Sequence, residues 1–194
     1  MATTPALLVL GSAQPPGRLR LVLAGAVERS RAGGEEIELL DLAEKRLAFA
    51  DGRDPAELDD DTAAVLESIA TAQPLVFATP VYRGSMTAAL KNLFDQLPVP
   101  ALAGKVVGLA AMGGSDHHFL GADRHLRDVL AFFGALVLPV SVYLSSADFP
   151  DGEPGERAAA ALDELLASAF ALAQASEGAP PLGPAPLAAR MIRG

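Results

Sequence analysis

Short runs rich in Val and Leu alternate along this chain with longer stretches in which apolar residues recur at helical spacing. Parallel strands joined by crossover helices produce that pattern. The first run, Ala6-Leu7-Leu8-Val9-Leu10, closes on Gly11, and Leu19, Val22, Leu23, Ala26 and Val27 then mark one stripe of a helix that stops near Gly33-Gly34. Ile37 to Leu40 reads as a second strand, Ala43 to Asp60 as an acidic loop, and Val65, Leu66 and Ile69 as a helix that begins near Asp61 or Thr62 and ends at Pro74. Leu75 to Thr79 is a third strand. Met86, Ala89, Leu90, Leu93, Phe94 and Leu97 form the clearest amphipathic stripe, stopped by Pro98. A fourth strand over Val106 to Ala111, a helix through Phe119, Leu126, Val129, Leu130 and Phe133, a fifth strand over Ala135 to Leu144 and a last helix through Leu162, Leu165, Leu166, Ala169 and Phe170 complete the series. The expected fold is α/β, a doubly wound parallel sheet of about five strands with helices on both faces.

Size and charge narrow the function. The 194 residues suit one domain, expected over 1–175, with a Pro/Gly/Ala-rich tail over 176–194 that reads as a loose terminus or as an arm on a partner subunit. Lys and Arg number 15 against 24 Asp and Glu, a net charge of −9, which argues against a nucleic-acid partner. With no cysteine, thiolate metal sites and dithiol chemistry are excluded, so electron chemistry falls to a cofactor. Met1 to Pro5 has no basic region, and the apolar run after it is far short of the roughly 18 residues of a membrane span. A cytoplasmic protein that does not bind membranes is expected.

In such a sheet the loops after the strands gather on one rim, and ligands bind there where the strand order reverses. With order 2-1-3-4-5, the flavodoxin-like arrangement, that point lies between strands one and three. The first loop, Gly11-Ser12-Ala13-Gln14-Pro15-Pro16-Gly17-Arg18, opens onto a helix start whose unpaired N–H groups suit a phosphate, with Ser12, Gln14 and Arg18 as further donors. It matches neither the dinucleotide fingerprint nor the Walker pattern. The second, Thr79-Pro80-Val81-Tyr82-Arg83-Gly84-Ser85-Met86, offers Pro80 to fix a turn and Tyr82 as a flat face beside a planar ring. In the third, Met112-Gly113-Gly114-Ser115-Asp116-His117-His118, the glycines permit close backbone approach and Ser115 adds a hydroxyl near the next helix start. Each loop alone also fits a plain structural turn; three of this kind on one predicted edge are hard to obtain by accident.

These residues, together with Ala89-Leu90-Lys91-Asn92-Leu93-Phe94-Asp95, resemble the NAD(P)H-dependent FMN reductase family over about residues 6–173, and most of all the reductases of two-component monooxygenase systems. The resemblance implies that Ser12, Gln14 and Arg18 hold the FMN phosphate. It implies that Pro80, Val81, Tyr82 and Arg83 contact the isoalloxazine ring, and that Gly113, Gly114 and Ser115 close its other side. It implies a homodimer or homotetramer with the flavin at a subunit boundary. Hydride would pass from NADPH or NADH to FMN with no protein residue as catalytic acid or base, and reduced flavin would go to a monooxygenase. Where relatives carry Ser-Arg-Thr or Ser-Arg-Ser, this chain has Gly17-Arg18-Leu19, two hydroxyls fewer. Some relatives also have a π-bulge at the position of Asp123-Arg124-His125.

Rival chemistry is thin. His117, His118 and His125 lack metal-ligand spacing, His117 reads as a solvated loop residue or a contact to nicotinamide, and Ser115 lacks a nucleophile elbow. Asp51, Asp54, Glu57, Asp59, Asp60 and Asp61 read as a solvated linker, with calcium a minor option. Two other readings stay open: a reductase that retains FMN and acts on a quinone, azo dye or metal oxyanion, and a non-enzymatic flavin carrier.

Overall fold

A computed structural model describes residues 5–14 and 17–179, apart from the side chain of His118. The elements run β1 (Ala6–Leu10), α1 (Arg18–Ala32), β2 (Ile37–Asp41), α2 (Thr62–Thr71), β3 (Leu75–Pro80), α3 (Ala88–Gln96), β4 (Val106–Met112), α4 (Phe119–Phe133), β5 (Leu136–Val137), β6 (Val142–Leu144) and α5 (Glu156–Ser176). All strand pairs are parallel, in the order β2-β1-β3-β4-β5, and β6 also pairs with β4. This is the expected fold class and strand order.

Strand periodicity builds two cores. In β1, Ala6, Leu8 and Leu10 join Leu19, Val22 and Leu23 of α1 and Leu162 and Leu166 of α5 on one face of the sheet. Leu7 and Val9 point the other way, into Val65 and Ile69 of α2, Leu90 and Phe94 of α3, and Leu126 of α4. Strands buried on both faces explain the unbroken apolar runs in the sequence. Each fully buried Leu or Phe contributes about 1.5–3 kcal/mol relative to exposure. α5 is long and apolar enough to cross a membrane by length and composition, but its apolar stripe from Ala158 to Ala169 packs on this sheet.

One expectation is corrected here and another refined. The fifth strand is two short ones rather than a continuous run from Ala135 to Leu144. Val106 and Val107 pair with Leu136 and Val137, and Ala110 to Met112 pair with Val142 to Leu144. Between them Pro139 has no N–H to donate. The carbonyls of Leu138 and Pro139 turn instead to the Arg127 guanidinium, at 2.8 and 3.1 Å, and Val140 is left 75% exposed. The acidic segment is solvated as expected, with Asp51, Asp54, Glu57 and Asp59 exposed, but it is ordered: it contains a short 3-10 turn at Pro55–Glu57, and its aspartates accept from backbone amides. At the other end of the chain, α5 reaches Ser176, and residues 180–194 of the proposed tail lie outside the described residues.

Candidate functional site

The strand ends converge as the topology requires. A cavity of about 300 Å³ opens at the rim, its wall formed by Ser12, Gln14 and Arg18 from the loop after β1, Pro80, Val81 and Tyr82 from that after β3, and Gly113 and Gly114 from that after β4. Eight of the ten expected ligand residues are thus brought together. Arg83 and Ser115 belong to the same loops but not to the wall.

The first loop is tied down from behind. A Cβ on Gly11 would lie 2.5 Å from the Leu90 Cβ, so glycine lets α3 come close. The buried Thr87 hydroxyl donates to the Gly11 carbonyl and accepts from the Leu90 amide at 3.2 Å, which joins the loop to the N-cap of α3. In front, Ser12 Oγ accepts from the Gln14 amide at 3.3 Å. Gly17 caps α1 with no side-chain hydrogen bond, no acidic residue occupies the first turn, and a Cβ built on Gly17 meets nothing within 4 Å. The first residues of this 15-residue helix line the cavity, so its positive end is turned toward it.

The two arginines in the wall differ. Arg20 donates Nε to the buried Asp41 at 2.9 Å and a second nitrogen to Glu44 at 2.7 Å, so its charge is neutralised. Arg18 has no carboxylate partner among the described residues. It reaches instead to Ser146 Oγ at 3.3 Å, with its guanidinium carbon 5.4 Å from the centre of the Phe149 ring. Sequence reasoning missed Ser146, which follows β6 on the same rim and was open to the rule applied to the other strands.

The second loop is a tight reversal. Tyr82 and Ser85 exchange backbone hydrogen bonds of 2.9 and 3.1 Å, while Arg83 and Gly84 between them have φ of 54° and 77°. Gly121 of α4 lies against this turn, where a Cβ would fall 2.4 Å from the Gly84 carbonyl oxygen, and His125 Nδ1 is 2.8 Å from Ser85 Oγ. α4 is α-helical throughout, with no π turn at Asp123-Arg124-His125.

In the third loop the adjacent glycines have separate tasks. A Cβ on Gly113 would lie 2.0 Å from the Tyr143 hydroxyl, which donates to the Ser115 carbonyl at 2.6 Å. Burial, and then the charge of Asp116, raises the Tyr143 phenol above its ordinary range, which keeps it a neutral donor. Gly114 faces open space. Ser115 caps the short turn Asp116–His118 by position, without a side-chain capping bond.

This donor set fits a phosphomonoester at the start of α1, and Pro80, Val81, Tyr82 and Gly114 fit a flat ring beside it. A family model described as NADPH-dependent FMN reductase matches residues 4–149. The chain is 46% identical over 114 residues to an FMN reductase (NADPH) of Pseudomonas aeruginosa, covering 58% of this chain and 59% of that protein. It is 35% identical over 157 residues to the NADH-dependent FMN reductase SfnE of Pseudomonas putida, covering 81% and 84%. The chain spans about three fifths of the length of two of the curated relatives it matches. Among solved structures, RosB with bound 8-demethyl-8-formylriboflavin-5'-phosphate superposes with a TM-score of 0.75 at 19% identity, covering 98% of this chain and 87% of that one, a likeness of fold.

Proposed function

The chain belongs to the NADPH-dependent FMN reductase family, and from that premise we propose that it transfers hydride from a nicotinamide nucleotide to FMN in the rim cavity. One observation carries the reading: Arg18, with no carboxylate partner among the described residues, stands at a helix start that lines a cavity three strand-end loops share. Bound FMN would supply the two-electron acceptor, its N5 receiving hydride from the nicotinamide C4. The protein binds and orients. Ser12, Gln14, Arg18 and the first amides of α1 hold the phosphate; Pro80, Val81, Tyr82 and the backbone of Arg83 border the ring, which leaves the Arg83 guanidinium outside it, and Gly113, Gly114 and Ser115 close its other side. No side chain need move a proton, because positioning brings the two rings together.

Tyr82 is 48% exposed at the cavity mouth, which favours FMN as an exchanging substrate and reduced flavin as a product handed to a flavin-dependent monooxygenase. Phe119 and Leu120 are also exposed, and a second copy of the chain covering them would place the site at a subunit boundary, in a cytoplasmic homodimer or homotetramer. Light scattering would detect that assembly.

Purified protein mixed with excess FMN and NADPH, and separately NADH, should oxidise the nucleotide above the protein-free rate; no oxidation of either rejects the reductase. Arg18→Ala should weaken FMN binding by about 1.5–3 kcal/mol, roughly tenfold to a hundredfold. An unchanged dissociation constant removes Arg18 from the phosphate site. Yellow colour retained through gel filtration would indicate a bound prosthetic group instead of a passing substrate.

A further inference from the structure

The relatives differ in the nicotinamide donor their names specify, NADPH for one and NADH for another. The distinction rests on one group, the 2′-phosphate of NADPH. A doubly charged phosphate is bound best by guanidinium groups with no carboxylate to satisfy.

Most arginines here are already engaged. Arg20, Arg29, Arg53, Arg127 and Arg157 hold carboxylates, and Arg31 donates to the Ile37 carbonyl. Arg83 and Arg124 are exposed and, like Arg46 in the acidic segment away from the rim, form no ion pair among the described residues. They are far apart in sequence, yet the fold docks the segments that carry them on each other. Arg83 sits in the Tyr82–Ser85 turn. Arg124 lies in α4 between Gly121 and His125, both of which touch that turn, at Gly84 and Ser85. Neighbouring acids leave the two arginines free: Asp123 is held by Arg127 at 3.0 Å, and Asp128, one helical turn beyond Arg124, pairs with neither of them.

The backbone gives an independent sign. Two-residue turns with both central residues at positive φ favour Asn-Gly, Asp-Gly or Gly-Gly. Here the first position is an arginine at φ 54°, a conformation unfavourable for its side chain. Backbone of this kind clusters at ligand sites.

We propose that Arg83 and Arg124, gathered by the docking of the Tyr82–Ser85 turn on α4, form the subsite for the 2′-phosphate and make NADPH the preferred donor. This deepens the reductase reading and rests on it. The net charge of −9 does not oppose it, since distant carboxylates are screened beyond about 8 Å at physiological salt.

The test uses the intact protein with two fragments that lack nicotinamide, 2′,5′-ADP and 5′-AMP, and reads binding by calorimetry. The parent should bind 2′,5′-ADP at least about tenfold more tightly, a preference that shrinks with added salt. Arg83→Gly removes the guanidinium and relieves the positive φ together, so loss of folding cannot account for its effect. It and Arg124→Ala should each erase most of that preference, leave 5′-AMP affinity unchanged, and lower the ratio of kcat/KM for NADPH over NADH by a similar factor. Equal affinity of the parent for the two fragments, or a preference that survives both substitutions, overturns the assignment. Failure of the reductase reading would show separately, as a parent that discriminates between the fragments but oxidises neither nucleotide.

Discussion

The rim loops and the acidic segment 45–61 are both irregular and charged, but they use charge in opposite ways. In the acidic segment the carboxylates turn onto nearby groups. Asp51 pairs with Arg53 at 2.8 Å, Asp54 accepts from the Ala56 amide, Asp60 from the Ala48 and Thr62 amides, and Asp61 from the Arg46 amide. Asn92 of α3 then fastens the segment to the body through Ala48 and Ala50. At the rim, order comes from buried hydroxyls and close glycines behind the loops, while Arg18, Arg83 and Arg124 hold no carboxylate among the described residues. Charge engaged within the fold shapes a loop; charge left unengaged on a rigid loop is available to a ligand.

If the rim is held from behind, its supports should be costly to remove. Thr87 is 2% exposed and serves both the Gly11 carbonyl and the Leu90 amide. Thr87→Val removes a helix cap and leaves a buried carbonyl without a donor, an expected loss of about 2–4 kcal/mol in chemical denaturation. Thr87→Ser should recover most of it. A Val variant as stable as the parent would mean that the rim is not anchored there.

Gly121→Ala should have the next largest effect. Its Cβ would meet a backbone oxygen at 2.4 Å, a contact that no rotamer change relieves, so the Tyr82–Ser85 turn must move at a cost of about 1–3 kcal/mol. Trypsin cleavage after Arg83, followed by mass spectrometry, should speed up, while cleavage in the acidic segment keeps its parental rate. Equal acceleration in both regions would show that the substitution loosens the whole fold.

Much of this was legible in the sequence because it depends on local periodicity. The five residues expected to form the buried stripe of α1, Leu19, Val22, Leu23, Ala26 and Val27, are its buried residues, and β1 spans the expected Ala6–Leu10. The break between β5 and β6 was signalled only by Pro139, with Val and Leu continuing on both sides, and the Arg127 that donates to its carbonyl lies on another element. Pairings across the fold were hidden for the same reason: Arg18 with Ser146, Arg20 with Asp41, and His125 with Ser85. Gly113 and Gly114 look alike in sequence, and only the position of Tyr143 separates the one that packing requires from the one that faces space. The order of the acidic segment was missed for a different reason. An aspartate followed two residues later by an available amide is a local turn signal, present at Asp51, Asp54 and Asp60, and the density of charge obscured it.

The smallest expected effect lies in that segment. Hydrogen bonding from Thr62, whose amide donates at 2.8 Å, with a further bond from the Ala48 amide and the charge of Arg46, holds the Asp60 carboxyl below its ordinary range. A carboxyl depressed in the folded state stabilises that state above its unfolded value, and the contribution is lost as pH falls through the depressed one. Acidification through that window should therefore release the Ala48 and Thr62 amides before the sheet unfolds, seen as movement of their amide resonances while those of β1 and β3 stay in place. Asp60→Asn should speed hydrogen exchange at the same two amides at neutral pH, remove the acid-dependent movement and leave FMN affinity unchanged. Loss of flavin binding in that variant would join the two regions into one unit and defeat the distinction between charge that builds a loop and charge that awaits a ligand.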